Sequence, residues 1–385
     1  MFADRTSWPR DENPLSKALQ SKRLQNQKIL DLTQSNPTLC RFLYSQSPLF
    51  ETLSHPENTR YTPDPHGLSV AREAVARYYA GKNIHVPLEN IFLTSGTSEA
   101  YSFLFRLLAN PGDTVLAPAP GYPLFDFLTG LNDLKLEKYP LAYGNAWRLD
   151  ESRLSAFSEK NPRALIWVNP NNPTGNYATP EEMKALNHFG VKNSCALIAD
   201  EVFLDYSSRK GEWRSFAGNE EALTFTLSGI SKILGLPQMK LSWIIVSGPK
   251  DLRDEALHRL EVIADTYLSV NAPVQNALPF WLPEAPKVCG EILERVNGNR
   301  EALLQALQNR RDVEVLNAEG GWYATLRMKG IRDEDYCLRL LRENNVFVHP
   351  GYFFDFETED FLVVSLLAPS EEFKTAIQAL GRIDG

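Results

Sequence analysis

The 385 residues read as an α/β protein: a large domain with a mostly parallel β-sheet covered by helices, then a smaller α+β domain. Three observations predict this. First, short apolar runs recur through the middle of the chain: IFLT at 91–94, TVLA at 114–117, ALIWV at 164–168, CALIA at 195–199 and LTFTL at 223–227. Runs without polar alternation suit strands buried on both faces, as in a parallel sheet under helices. Second, the runs end in SGTSEA, PAPGYP, NPNNPTG, DEVF and SGISK, so polar residues, glycine and proline gather at their C-terminal ends. Ligands bind at that edge of an open α/β sheet, and five such endings predict a site there. Third, from about residue 287 the alternation stops. Helical patterns at 288–308 and 334–343 flank VEVLNAEGGWYATLR, read as one strand candidate, and VFVHPGYFF and FLVVSLL close the chain. That mixed order predicts an α+β lobe.

The first elements follow from local signals. Asn13 can cap a helix whose first position is Pro14, with Leu15 and Leu19 on one face. Leu68, Ala71, Val75 and Tyr78 keep helical spacing, and Gly81 is placed to end that helix. The lobe boundary falls between Pro273 and Pro283.

Composition narrows the function. Forty basic against 48 acidic residues give a net charge of −8, which argues against a nucleic-acid footprint. No apolar run approaches the ~20 residues of a membrane span. The N-terminal MFADRTSWPRDENP has no apolar signal core, so a cytoplasmic protein is expected. Cys40, Cys195, Cys289 and Cys337 are scattered, which disfavours a zinc ribbon or redox dithiol and suits a reducing compartment. His258 and Glu261 share helical spacing, but a metal site needs more ligands, and no metal is expected.

Chemistry concentrates at three strand ends. Ser95, Gly96, Thr97 and Ser98 lead straight into a helix, offering free N–H groups and hydroxyls to an anion. Ser228, Ser231 and Lys232 close another run. Asp200 closes CALIA, where a carboxylate behind a buried strand needs a cation or several donors. The three suit an anionic ligand that carries a cationic ring nitrogen and an electrophilic carbon.

On these residues the sequence resembles the class I/II aminotransferases, fold-type I enzymes, aspartate aminotransferase-like, that use pyridoxal 5′-phosphate. The resemblance runs from SNPT at 35–38 to VVSLL at 363–367, and its most specific pieces are NPNNPTG, ADEVF and SK-x-x-G-L-P. It implies an N-terminal arm and part of the small domain at 1–45, a cofactor-binding domain at 46–278 and the small domain's remainder at 279–385, so that both chain ends build the small domain. It also implies roles. Lys232 holds the cofactor as a Schiff base and then shuttles the substrate's α-proton, work that an amine on a flexible stem can do. Asp200 pairs with the pyridine nitrogen and keeps it protonated. Asn172 donates to the phenolic oxygen, Tyr122 stacks on the ring, and Thr97, Ser98, Ser231 and Lys240 hold the phosphate. Tyr61 reaches the phosphate of a neighbouring subunit, which implies a homodimer with shared sites.

Four positions depart from the family's pattern. Lys240 stands for an arginine, keeping charge but losing the bidentate fork. Phe203 stands for a tyrosine that donates to the phenolic oxygen. Ser35 stands for a glycine near the substrate. Val363, Val364 and Ser365 stand where R-x-S grips the substrate's α-carboxylate. Either another cation takes the carboxylate, with Arg41, Arg332 and Lys240 as candidates, or the donor is an amine without one. The first is preferred, since the remaining motifs match α-amino-acid enzymes. The expected activity is amino transfer between a small-molecule amino donor, an amino acid, and a keto or aldehyde acceptor. A β-eliminating carbon–sulfur lyase is the alternative, and a non-catalytic cofactor sensor a third reading.

Overall fold

The computed structural model describes residues 1–8, 12–42, 48–207 and 214–382. A short strand β1 (Leu30–Asp31) precedes the main sheet of β2 (Ile91–Thr94), β3 (Thr114–Ala119), β4 (Lys135–Tyr143), β5 (Trp147–Leu149), β6 (Ala164–Val168), β7 (Ala196–Asp200), β8 (Thr224–Gly229) and β9 (Ser242–Ser247). Their order is β2-β9-β8-β7-β6-β3-β4-β5. The run from β8 to β4 is parallel, while β2, β9 and β5 pair antiparallel. The five expected strands form the parallel core and one edge. Three strands lie outside the expected runs: β9, whose SWIIVS is itself an apolar run just after a proline-containing motif, β4, KLEKYPLAY, which alternates charged with apolar residues, and β5, only three residues long.

Both faces of the central strands are covered. Ile166, Ile198 and Phe225 pack with Phe103, Leu104 and Leu260 from the helices Thr97–Leu108 and Lys250–Tyr267. Leu165, Trp167 and Leu197 pack on the opposite face with Leu186 and Phe189 of the helix Pro180–Asn193. That helix opens with a reciprocal capping box between Thr179 and Glu182. The first helix starts as the sequence signals it: Asn13 accepts from Ser16 N and Pro14 takes the first helical position. Helix Ser69–Ala80 stops at Gly81 without a left-handed cap, φ −62°, and Asn83 takes the positive φ instead.

A separate antiparallel sheet has the order β10-β11-β14-β13, formed by β10 (Val313–Val315), β11 (Tyr323–Met328), β13 (His349–Pro350) and β14 (Phe361–Ser365). The stretch expected as one strand is therefore two, paired antiparallel through Val315 and Leu326. The turn between them passes so close to its neighbours that a Cβ on Gly320 would sit 2.5 Å from the Tyr206 carbonyl oxygen. Strand β12 (Val346–Phe347) pairs in parallel with β1, which ties the N-terminal segment to the C-terminal third. Among the described residues no helix is long and apolar enough to cross a membrane.

Candidate active site

The C-terminal ends of β6, β7 and β8 converge on one pocket. Asp200 is the last residue of β7. Beyond β8, Gly229 leads into a short helix, Ile230–Ile233, that carries Ser231 and Lys232. A Cβ on Gly229 would lie 2.2 Å from Ser242 Oγ on β9, so this crossing requires glycine. The loop after β6 carries Asn172, and the loop after β3 carries Tyr122. These residues, with Thr97 at the first helical position after β2, line the pocket together.

Electrostatics in the pocket follow from burial. Asp200 is 6 % exposed; its Oδ2 accepts from the Tyr101 hydroxyl at 2.9 Å and its Oδ1 from Val202 N at 3.2 Å. Burial raises its carboxyl to about 6, against the pull of Tyr101, Val202 N–H and the Lys232 charge. At pH 7 the group is mainly ionised and favours a positive partner. Burial lowers the Lys232 amine to about 8, with Asp200 opposing. The apolar surroundings are visible: Lys232 Nζ stands 5.4 Å from the Phe203 ring and 5.0 Å from the Trp322 ring. A lysine in such a setting is substantially neutral near pH 8, the form that attacks carbonyls. The neighbouring Glu201 points away, as strand alternation requires. It accepts from Ser215 Oγ and Phe216 N at 2.5 and 2.7 Å.

Asn172 is 8 % exposed, and its Oδ1 is buried without a hydrogen-bond partner. An orphaned amide oxygen on a pocket wall is costly unless a ligand or water meets it. At the other end, Lys240 Nζ lies 3.4 Å from where a Cβ on Gly96 would stand, so a cation faces the start of helix Thr97–Leu108. A helix N-terminus with an adjacent ammonium suits a phosphate. The donor set thus fits pyridoxal 5′-phosphate: a phosphate cradle at one end, a carboxylate for a ring nitrogen, an amide for a ring oxygen and a lysine for an aldehyde.

Not every residue expected at the site lies in the pocket. Ser98 is exposed, one helical position beyond Thr97. Tyr61 is 81 % exposed and borders a separate cleft with Arg60, Asp64 and Asn271. Arg41 is not among the residues lining this pocket; its exposed guanidinium pairs with Glu372 at 2.9 Å. Arg332 likewise pairs with Glu359 at 2.8 Å. Ser35 does line the pocket, as does Tyr323. Three contributors have no separate sequence signal. Tyr101 sits on an apolar helix face among Ala100, Phe103 and Leu104 and reads as core. Trp322 and Tyr323 sit inside a strand-like run.

The fold and pocket define a class, an α/β protein with a lysine and an aspartate facing one pocket from adjacent strand ends. Residues 29–380 match the profile of the family "Aminotransferase class I and II", and the chain belongs to that family. It is similar to the glutamate-pyruvate aminotransferase AlaA of Haemophilus influenzae, 26 % identical over 368 residues, covering 92 % of this chain and 90 % of that protein. It is also similar to the S-alkyl-thiohydroximate lyase SUR1 of Arabidopsis thaliana, 26 % identical over 345 residues, covering 85 % and 74 %. Among solved structures, the alanine aminotransferase of Pyrococcus furiosus shares the fold with a TM-score of 0.89 at 19 % identity, over 99 % of both chains. The chain is an aminotransferase by family.

Proposed function

We propose that this chain binds pyridoxal 5′-phosphate at Lys232 and exchanges an amino group for a carbonyl oxygen between a small amino donor and a keto or aldehyde acceptor. The observation that carries this is the joint placement of Lys232, Asp200 and Asn172 in one pocket. When bound, the cofactor supplies an aldehyde that condenses with amines and a cationic ring that accepts the electron pair left by a departing proton. The protein supplies the rest. Asp200, held ionised by Tyr101 and Val202 N–H, keeps the ring nitrogen protonated. Asn172 meets the ring oxygen, and Tyr122 covers the ring. Thr97, Ser231 and Lys240 hold the phosphate. Lys232, once free, takes the proton from the donor's α-carbon and returns one to the new position. Phe203 brings no hydroxyl to the ring oxygen, so Asn172 is left as its neutral donor.

The test is a two-substrate assay. Purified protein loaded with the cofactor should transfer nitrogen from an amino donor to a carbonyl acceptor with ping-pong kinetics, with amino product formed only when the acceptor is present. The similarity to a lyase gives the second reading its place. Release of thiol and ammonia from cysteine conjugates without any acceptor, faster than transfer, would support elimination instead.

Assembly forms part of the proposal. Tyr61 is a large side chain left exposed outside its own pocket, and in a homodimer the partner subunit's Tyr61 would complete the phosphate site. Sedimentation at micromolar concentration should give a dimer, and Tyr61→Phe should weaken cofactor affinity several-fold without changing the dimer. An active monomer would contradict this. The four cysteines are unpaired and buried, which suits the cytoplasmic location we assign. Residues 46–278 form the cofactor-binding domain in this proposal, and 1–45 with 279–385 the small one.

A further inference from the structure

At the position where the family's pattern places a guanidinium, this chain carries an apolar side chain. Val363 is 1 % exposed on β14, opposite Thr325 of β11 and His349 of β13, and packs with Trp147, Phe356 and Phe361. Of the cations named from the sequence, Arg41 and Arg332 are paired at the surface, and Lys240 lies at the phosphate end, while the half-buried Arg300 donates to the Tyr323 carbonyl oxygen at 3.4 Å and is not among the residues lining the pocket. Two hydroxyls occupy the wall instead. Tyr323 begins β11 and lines the pocket together with Ser35, whose hydroxyl pulls against the rise in the phenol's pKa. The loop carrying Ser35 is anchored to β14: Ser365 Oγ donates to Gln34 O and Ser365 N to Leu32 O, both at 2.6 Å. Burial raises the Tyr323 phenol, so it stays protonated through the physiological range. A phenol that keeps its proton at the pocket wall can donate it to a ligand.

We propose that Tyr323, backed by Ser35, is the hydrogen-bond donor that reads the substrate's α-carboxylate, taking the place of the arginine that Val363 displaces. The proposal rests on the aminotransferase reading and names its specificity residues. A phenol donating to a carboxylate makes a charge-assisted bond, so its loss is felt mainly in binding. Ser35 acts through Tyr323 and is a positioning residue.

The test is an absorbance titration of the holoenzyme with an α-methyl amino acid, which binds but has no α-proton to lose, beside the matched amine without a carboxylate. Tyr323→Phe should weaken the α-methyl amino acid roughly tenfold or more and leave the amine within twofold. In turnover, KM for amino donor and keto acid should rise by a similar factor, with kcat within about threefold. Ser35→Ala should give a smaller shift that disappears in the Tyr323→Phe background. Equal weakening of both ligands would mean that Tyr323 only supports the pocket, and unchanged affinity for both would exclude it as a ligand. Either result overturns the proposal. A wild-type holoenzyme that answers neither ligand and transfers no nitrogen would remove the aminotransferase reading and this proposal with it, which no result on the variants alone can do.

Discussion

Lys232→Ala should lower amino transfer by about 10⁴-fold or more, the upper range for loss of one acid–base group, with the fold intact. Both halves of that expectation come from local structure. The amine is the pocket's only basic group facing Asp200 among the described lining residues, so nothing else there can carry the proton at the donor's α-carbon. The backbone at this position is held independently, since the Tyr206 hydroxyl donates to Lys232 O at 2.6 Å. Thermal unfolding should therefore move little, while kcat collapses. The lowered amine pKa of about 8 adds a pH signature. The neutral form reacts with carbonyls, so loading of the apo-protein with cofactor should speed up as pH rises toward 8 and level off above it. A variant retaining more than a hundredth of wild-type kcat would exclude the assigned role.

Asp200→Ala is the second large effect. Its carboxylate is the buried negative charge facing the pocket, and a preorganised charge in a site shielded from water does more than one in solution. Removing it should cost roughly 10³-fold in kcat, by analogy with losing one preorganised electrostatic contact. Cofactor affinity should fall less, because Thr97, Ser231 and Lys240 are untouched. The truncation also strands the Tyr101 hydroxyl and Val202 N–H, whose acceptor is gone. Asp200→Asn is the cleaner comparison, since it keeps an acceptor for Tyr101 and removes only the charge. If Asn preserves stability but shares the loss of turnover, the charge is the cause. Turnover within tenfold of wild type in either variant would contradict the role.

The residues that meet in the pocket were legible in the sequence alongside the fold that holds them. Asp200, Lys232 and Asn172 stand at strand ends, and a polar group closing an apolar run is conspicuous in the sequence. The buried strands β6 and β7 were equally plain, because burial on both faces leaves no polar alternation. Strand β4 was not, since it alternates Lys135, Glu137 and Lys138 with apolar partners. The long run at 313–327 hid a turn because its Gly320 and Gly321 lie inside an otherwise strand-like pattern. Tertiary placement was the harder part. Arg41 follows the SNPT motif closely, yet its side chain points at Glu372, and sequence proximity to a motif carries no side-chain direction. Tyr101 and Tyr323 were invisible as site residues for the reverse reason. Helical spacing marks Tyr101 as core and Tyr323 lies in a strand-like run, and only the folded chain brings the Tyr101 hydroxyl to Asp200 and Tyr323 to the pocket.

The central claim is that Lys232 is the point of cofactor attachment, and chemical trapping tests it most directly. Protein loaded with pyridoxal 5′-phosphate should absorb in the visible, and borohydride should bleach it and leave a stable adduct. Peptide mass spectrometry should then place one pyridoxyl phosphate per chain on Lys232, and none on Lys240 despite its position beside Gly96. An adduct on any other lysine, or no adduct on a protein that binds the cofactor, would contradict the account.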